Sequence, residues 1–111
     1  MCGIAGIVGA YGLGPEQLNF TAIRMTDVLH YRGPDDHGVW IEESSGLAFG
    51  HRRLSILDLS AHGHQPMQSA CGRYVTVYNG EIYNFKDLRK ELVDAGHSFR
   101  SHSDTEVLLA A

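Results

Sequence analysis

Met1-Cys2-Gly3-Ile4-Ala5-Gly6-Ile7-Val8-Gly9 opens the chain. Small residues alternate here with branched apolar ones, the pattern of a buried strand whose backbone lies close to a neighbour. A strand that starts the chain inside the core carries residue 2 at its leading end. Removal of Met1 would leave Cys2 with a thiol and a free α-amine on one residue. Reference pKa values of about 8.5 for the thiol and 7.7–8.0 for the amine let the amine accept the thiol proton near neutrality, directly or through water. Nucleophile and base then sit together without a histidine. The competing reading of Cys2, taken alone, is a small buried hydrophobe, as free cysteines usually are.

Beyond this strand, a loop with Tyr11, Gly12, Gly14 and Pro15 leads to a segment whose Leu18, Ala22, Met25 and Leu29 fall on one helical face. Gly33-Pro34 predicts the end of that helix near His30. Gly38 to Glu42 and Leu47 to Leu59 are β-rich stretches separated by Glu43-Ser44-Ser45-Gly46, which is turn chemistry, and they predict a hairpin. After a polar loop from Ser60 to Gly72, Arg73 to Tyr78 alternates as a strand and runs into Asn79-Gly80. Asn84 is placed to cap a helix with Phe85, Leu88, Leu92 and Ala95 as its apolar stripe and Gly96 as its stop. His97 to Ser101 is short and strand-like, and Ser103 with Glu106 forms a capping box before Val107, Leu108 and Leu109. The final Leu-Leu-Ala-Ala lies inside that last helix without a C-cap, as expected of a domain cut short. No repeat or linker divides the 111 residues, so one domain is expected.

A hydrophobic share of 43% and a charged share of 20% are ordinary for a globular protein and argue against disorder. Nine Lys+Arg against 13 Asp+Glu leave a net charge of −4, which supplies no cationic surface for nucleic acid. The apolar stretches fall far short of the roughly 20 residues that span a bilayer, so no membrane partner is expected. The N-terminus has neither the basic segment nor the apolar run of a secretory signal, which points to a reducing cytoplasmic compartment with Cys2 and Cys71 as free thiols. Seven histidines, and His62-Gly63-His64 with Cys71 nearby, raise a zinc site. A closed ligand set with paired spacing is missing, and no metal is expected.

Four further segments carry the chemistry: Tyr31-Arg32-Gly33-Pro34-Asp35-Asp36-His37-Gly38, His51-Arg52-Arg53-Leu54-Ser55-Ile56, Tyr78-Asn79-Gly80-Glu81-Ile82-Tyr83-Asn84, and Ser103-Asp104-Thr105-Glu106. Together with the opening segment, in order and spacing, they resemble the class II glutamine amidotransferases, enzymes of the N-terminal-nucleophile hydrolase type. The Arg-Gly-Pro-Asp-Asp form of residues 32–36 resembles the asparagine synthetase branch.

The resemblance implies an α+β fold, a four-layer αββα sandwich longer than this chain and therefore incomplete at its C-terminus. It implies glutamine hydrolysis through a thioester on Cys2, with the Asn79 side-chain amide and the Gly80 N–H as the oxyanion hole. Glycine lets that backbone approach without a Cβ. It implies Arg53 for the substrate α-carboxylate, suited by its planar fork, and Asp104 for the α-ammonium, with Glu81 as a secondary contributor. Arg53 rather than the adjacent Arg52 occupies the family position. Arg32, Asp35 and Asp36 are assigned to shaping the loop near the pocket. The glutaminase half needs no cofactor. In the parent protein, ammonia would pass to a C-terminal synthetase domain, absent here, that uses ATP and Mg²⁺ to amidate aspartate.

Other readings compete at several of these positions. Asn79-Gly80 is also the strongest short signal for a type I′ hairpin turn, Arg53 could be a solvated strand residue, and Asp104 could be a helix N-terminal charge. The domain could serve another class II amidotransferase, of a sugar or surface-polysaccharide pathway, or survive as a binding module with Cys2 inert.

Overall fold

The computed structural model describes residues 1–56 and 60–111. Gly3–Ile7 forms strand β1, Pro15–Val28 helix α1, Asp36–Glu42 strand β2 and Leu47–Arg53 strand β3. These strands make an antiparallel sheet of order β1-β3-β2. The hairpin expected from residues 38 to 59 is β2-β3, joined through Gly46 at φ 58°, where glycine carries no Cβ penalty. The Glu42 carboxylate accepts from the Ser44 hydroxyl and the Ser45 N–H and hydroxyl, which ties the turn to its own strand. Strand β3 stops at Arg53, earlier than expected, and residues 57–59 of the predicted stretch lie outside the described residues.

Helix α1 packs across all three strands. Pro15 stands at its first turn, where a missing N–H costs nothing. Its buried stripe is Leu18, Ala22 and Thr26, not the expected Leu18, Ala22, Met25 and Leu29, because the i, i+4, i+8 row faces the sheet and leaves Met25 39% exposed. The Thr26 hydroxyl reaches the Ala22 carbonyl at 2.7 Å, so the threonine is buried without an orphaned donor. Gly50 of β3 lies directly beneath, and a Cβ there would overlap the Thr26 hydroxyl.

Sheet pleating puts Ala5, Ile7, Val39, Ile41, Ala48 and Gly50 on the α1 side, where the core of Leu18, Ala22 and Ala48 forms. The opening strand is thus buried on one face only. Ile4 is 44% exposed on the opposite face, which also bears Trp40 and Phe49, whose rings stack with centroids 5.9 Å apart. The close backbone approach read from the first residues does occur, since a Cβ on Gly3 would come within 2.9 Å of the Leu29 Cβ.

Strand Met67–Gln68 (β4) pairs with Val75–Thr76 (β5), inside and beyond what the sequence presents as a polar loop. The predicted strand from Arg73 to Tyr78 is shorter because the Tyr78 N–H bonds the Gln65 side chain at 2.6 Å rather than a neighbouring strand. Helix Phe85–Asp94 (α2) ends as expected at Gly96, φ 99°, with Gly96 N–H to Val93 O and His97 N–H to Leu92 O, both 2.9 Å. This pair of bonds is a Schellman stop. Its apolar stripe is only partly covered, and the Asn84 side chain makes no cap bond. His97 to Ser101 is not a strand.

Helix Asp104–Ala110 (α3) is capped by the Ser103 hydroxyl, which accepts from the Glu106 N–H at 3.3 Å. The reciprocal half of the expected box is absent. Glu106 instead accepts from the Arg100 and Ser101 N–H groups at 2.8 and 2.7 Å, which pins the preceding loop to the helix. Burial opposes ionisation of Glu106, but these amides and the Ser101 hydroxyl outweigh it and hold the carboxyl below its usual range. The domain as a whole is a small α+β unit.

Two consequences are measurable. Gly50→Ala should destabilise the protein by roughly 1–3 kcal/mol through overpacking on Thr26, and Thr26→Ala in the same chain should recover part of the loss; denaturant titration of the single and double variants checks the coupling. A depressed Glu106 pKa contributes stability that is full above its unfolded value and is lost as pH falls through the lower, folded value. Glu106→Gln should therefore be less stable than wild type at pH 6, with the gap closing under acid, as thermal melts across pH 6 to 3 would show.

Candidate active site

The antiparallel register pairs Gly3 with Arg52. Cys2, the residue before β1, and Arg53, the last residue of β3, therefore lie at the same end of the sheet. The Cys2 Sγ accepts from the Leu54 N–H at 3.3 Å and lies 3.7 Å from the Leu54 carbonyl, so the segment following Arg53 holds the thiol. The Cys2 carbonyl in turn accepts from Arg32 Nε at 3.2 Å and from Asn79 Nδ2 at 3.1 Å. Two donors from distant segments thus fix the backbone of residue 2.

Strand alternation separates the two arginines. Arg52 turns toward α1, where it ion-pairs with Asp27 and donates from Nε to the Thr26 carbonyl at 3.3 Å. Arg53 points to the other face and is 7% exposed, with one terminal nitrogen donating to the Ser60 carbonyl at 3.1 Å. Gly63 lies against its guanidinium, and a Cβ there would overlap it. Arg53 is therefore a sequestered cation, not a solvated strand residue.

Asn79-Gly80 does not form the alternative type I′ turn. That turn requires positive φ at both central residues, and neither has it. Asp104 stands at the first position of α3, 6% exposed, and its carboxylate accepts from the Ile82 N–H at 2.9 Å. It is thus both a helix N-terminal charge and the tie between α3 and the segment after Gly80. Glu81 lies exposed at the rim.

One cleft of about 340 Å³ is lined by Cys2, Arg53, Asn79, Gly80, Glu81 and Asp104 together. All six residues singled out in the sequence meet there, gathered from four separate segments. The cleft holds a thiol, a buried cation, two carboxylates and amide donors, so it presents opposite charges within a volume suited to a small molecule. Its wall also includes Leu54, Gly63, Gln65, Tyr78 and Thr105, which the sequence reading did not single out as site residues. Gln65 sits in a stretch with no periodicity to mark it, and Gly63 stood out only through the histidines beside it.

The loop residues behave as expected. The Asp35 carboxylate accepts from the Ser55 N–H at 2.8 Å, and Asp36 bonds its neighbour His37 N–H at 2.8 Å and His64 Nδ1 at 2.7 Å. His64 is thereby engaged with Asp36, while Cys71 lies in the β4-β5 turn beside Ser69. Among the described residues, no three metal-binding side chains converge. The two cysteines are separate thiols, and no described helix is long and apolar enough to cross a membrane. His51 is 1% exposed behind the cleft; burial lowers its pKa, the Tyr78 carbonyl raises it less, and nearby Arg53 lowers it further.

Three asparagine synthetases (glutamine-hydrolysing) of Bacillus subtilis, numbered 3, 2 and 1, are 50%, 43% and 41% identical over 98%, 98% and 99% of this chain. The chain spans only 17%, 14% and 17% of their respective lengths. The family model of the glutamine amidotransferase domain matches residues 1–111, and the chain belongs to that family, related to the glutaminase domains of the asparagine synthetases.

Proposed function

We propose that the cleft hydrolyses the side-chain amide of glutamine, with Cys2 as nucleophile, and that the observation carrying this reading is the convergence of Cys2, Arg53, Asn79, Gly80, Glu81 and Asp104 in one cavity. Glutamine is a zwitterion with an amide at its far end. Arg53 pairs with its α-carboxylate by a bidentate fork, and Asp104, assisted by Glu81, receives its α-ammonium. These contacts leave the amide carbon directed at Cys2.

Once Met1 is removed, the α-amine of Cys2 takes the thiol proton. The thiolate forms a C–S bond to the amide carbon, and the carbonyl electron pair moves to oxygen. Asn79 Nδ2–H and the Gly80 N–H stabilise that oxyanion, and losing one such donor raises the barrier by about 3 kcal/mol. As the C=O re-forms, the C–N bond breaks, and the leaving nitrogen takes a proton from the Cys2 ammonium and departs as ammonia. Water then adds to the thioester and gives a proton to the amine. Collapse breaks the C–S bond, releases glutamate and returns the thiol.

The same reading makes the chain the N-terminal part of an αββα sandwich. The sheet face bearing Ile4, Trp40 and Phe49 supports it, since this is the face opposite α1 that a second sheet would cover. In the full-length protein the ammonia serves formation of asparagine from aspartate, as the names of the relatives suggest. ATP and Mg²⁺ belong to that further part, and no residue of this chain is proposed to hold them.

The decisive test treats the purified protein with an electrophilic glutamine analogue, then maps the adduct and the state of Met1 by mass. A single adduct on an N-terminal Cys2 is expected; no adduct, with Met1 retained, would sink the reading in favour of a binding module. Cys2→Ala should lower glutamine turnover by more than about a thousandfold while glutamine still binds. Arg53→Ala should raise the glutamine KM by roughly 10- to 100-fold, the worth of a charge-assisted pair, with little change in the folded spectrum. Unchanged glutamine affinity would reject that role for Arg53.

A further inference from the structure

The residue that precedes the proposed oxyanion donors is held in an unusual way. Tyr78 lies just past β5, where a strand would satisfy its backbone through a ladder. Instead its N–H donates to Gln65 Oε1 at 2.6 Å, and its carbonyl lies 3.2 Å from His51 Nε2. Gln65 Nε2 continues to the Thr105 hydroxyl at 3.3 Å, one residue beyond Asp104. His51, Gln65 and Thr105 are 1%, 6% and 4% exposed. Three buried side chains thus connect central strand β3, the Tyr78 backbone and the start of α3.

His51 is a costly choice if stability alone were at stake. Its Nδ1 is buried with no hydrogen-bond partner among the described residues, which an apolar side chain of similar size would avoid. What the imidazole gains in exchange is the bond to the Tyr78 carbonyl. Burial disfavours the charged ring, and in the neutral ring only the Nε2–H tautomer can donate to the Tyr78 carbonyl. Gly38, paired with His51 across the sheet, contributes as well: a Cβ there would overlap the Gln65 carbonyl, so the glycine lets Gln65 settle against the sheet.

We infer that His51, Gln65 and Thr105 form a clamp on the Tyr78 backbone that positions Asn79 and Gly80 to receive the oxyanion. His51 lies behind the cleft, and Gln65 and Thr105, though part of its wall, act in this account through the Tyr78 backbone; they are positioning residues, and the inference rests on the proposed glutaminase reading. A preorganised donor pair stabilises charge only where it is aimed, and a misplacement of about 1 Å costs on the order of a hundredfold. Substrate binding by Arg53 and Asp104 does not depend on that aim.

The test uses the full-length protein that carries this domain, with steady-state glutaminase kinetics and Cys2 labelling by an electrophilic glutamine analogue. His51→Leu should lower kcat about 10- to 100-fold with the glutamine KM within about threefold of wild type. His51→Gln, whose amide nitrogen can replace Nε2 as donor, should recover most of the loss. Thr105→Val, a milder change that keeps shape, should lower kcat several-fold at unchanged KM, and it decides the matter if His51→Leu does not fold. Wild-type kcat in the folded variants, or a His51→Gln no better than His51→Leu, would overturn the clamp. Failure of the wild-type protein to label at Cys2 would instead overturn the glutaminase reading itself, and the clamp with it.

Discussion

The antiparallel pairing of β1 with β3 is the constraint on which the rest of the molecule depends. It runs in one unbroken register from Gly3 opposite Arg52 to Ile7 opposite Ala48. Because side chains alternate with a period of two, slipping this pairing by one residue would exchange the two faces of β1. Ala5 would leave the α1 core, and the end of the sheet where Cys2 meets Leu54 and Arg53 would be lost. The register is protected from the other side by α1, which can sit this close to the sheet only because Gly50 leaves room for the Thr26 hydroxyl. Packing specificity on one face of the sheet therefore sets the chemistry at its end.

Much of this was legible in the residues, and the exceptions have a common cause. The β2-β3 hairpin and both C-terminal helices follow from local punctuation, and the grouping of Cys2, Arg53, Asn79, Gly80, Glu81 and Asp104 in one cleft from the family that the ordered motifs resemble. The structure departs from the sequence pattern where a polar side chain takes over hydrogen bonds that the pattern assigns to the backbone. Tyr78 ends its strand early because Gln65 occupies its N–H, and Glu106 abandons the reciprocal half of a capping box for the amides of Arg100 and Ser101. Thr26 replaces Met25 in the buried stripe because its hydroxyl finds the Ala22 carbonyl. Pattern reading counts a glutamine, glutamate or threonine as surface; only the tertiary partner reveals otherwise.

The choice between Arg52 and Arg53 illustrates what geometry adds to a motif. Adjacent arginines on a strand must point to opposite faces, so one spacing argument cannot serve both. Arg52 is consumed by Asp27 and the Thr26 carbonyl on the helix side. Arg53 is sequestered against Gly63 at the cleft wall, where a partly desolvated guanidinium acts more strongly on nearby charge than one in water. Gly63 thus matters as the space in which the Arg53 guanidinium lies.

The cleft divides its work between two kinds of support. Cys2 hangs from the end of the sheet, its thiol beside the Leu54 backbone and its carbonyl gripped by Arg32 and Asn79. The Asn79-Gly80 segment has no such scaffold, since β5 ends at Thr76 and no positive-φ turn locks it. A segment without a ladder can hold a fixed geometry only if its backbone groups are bonded elsewhere, because unpaired buried amides would otherwise seek water and move. His51 and Gln65 supply those bonds to Tyr78, and Asp104 supplies one to Ile82, so residues 78 and 82 are anchored on either side of the proposed donors. The short stretch between the anchors then has little freedom left. A buried imidazole whose second nitrogen has no partner among the described residues is a poor way to stabilise a fold, but it is a sound way to help immobilise the three residues, 79 to 81, that no described strand reaches.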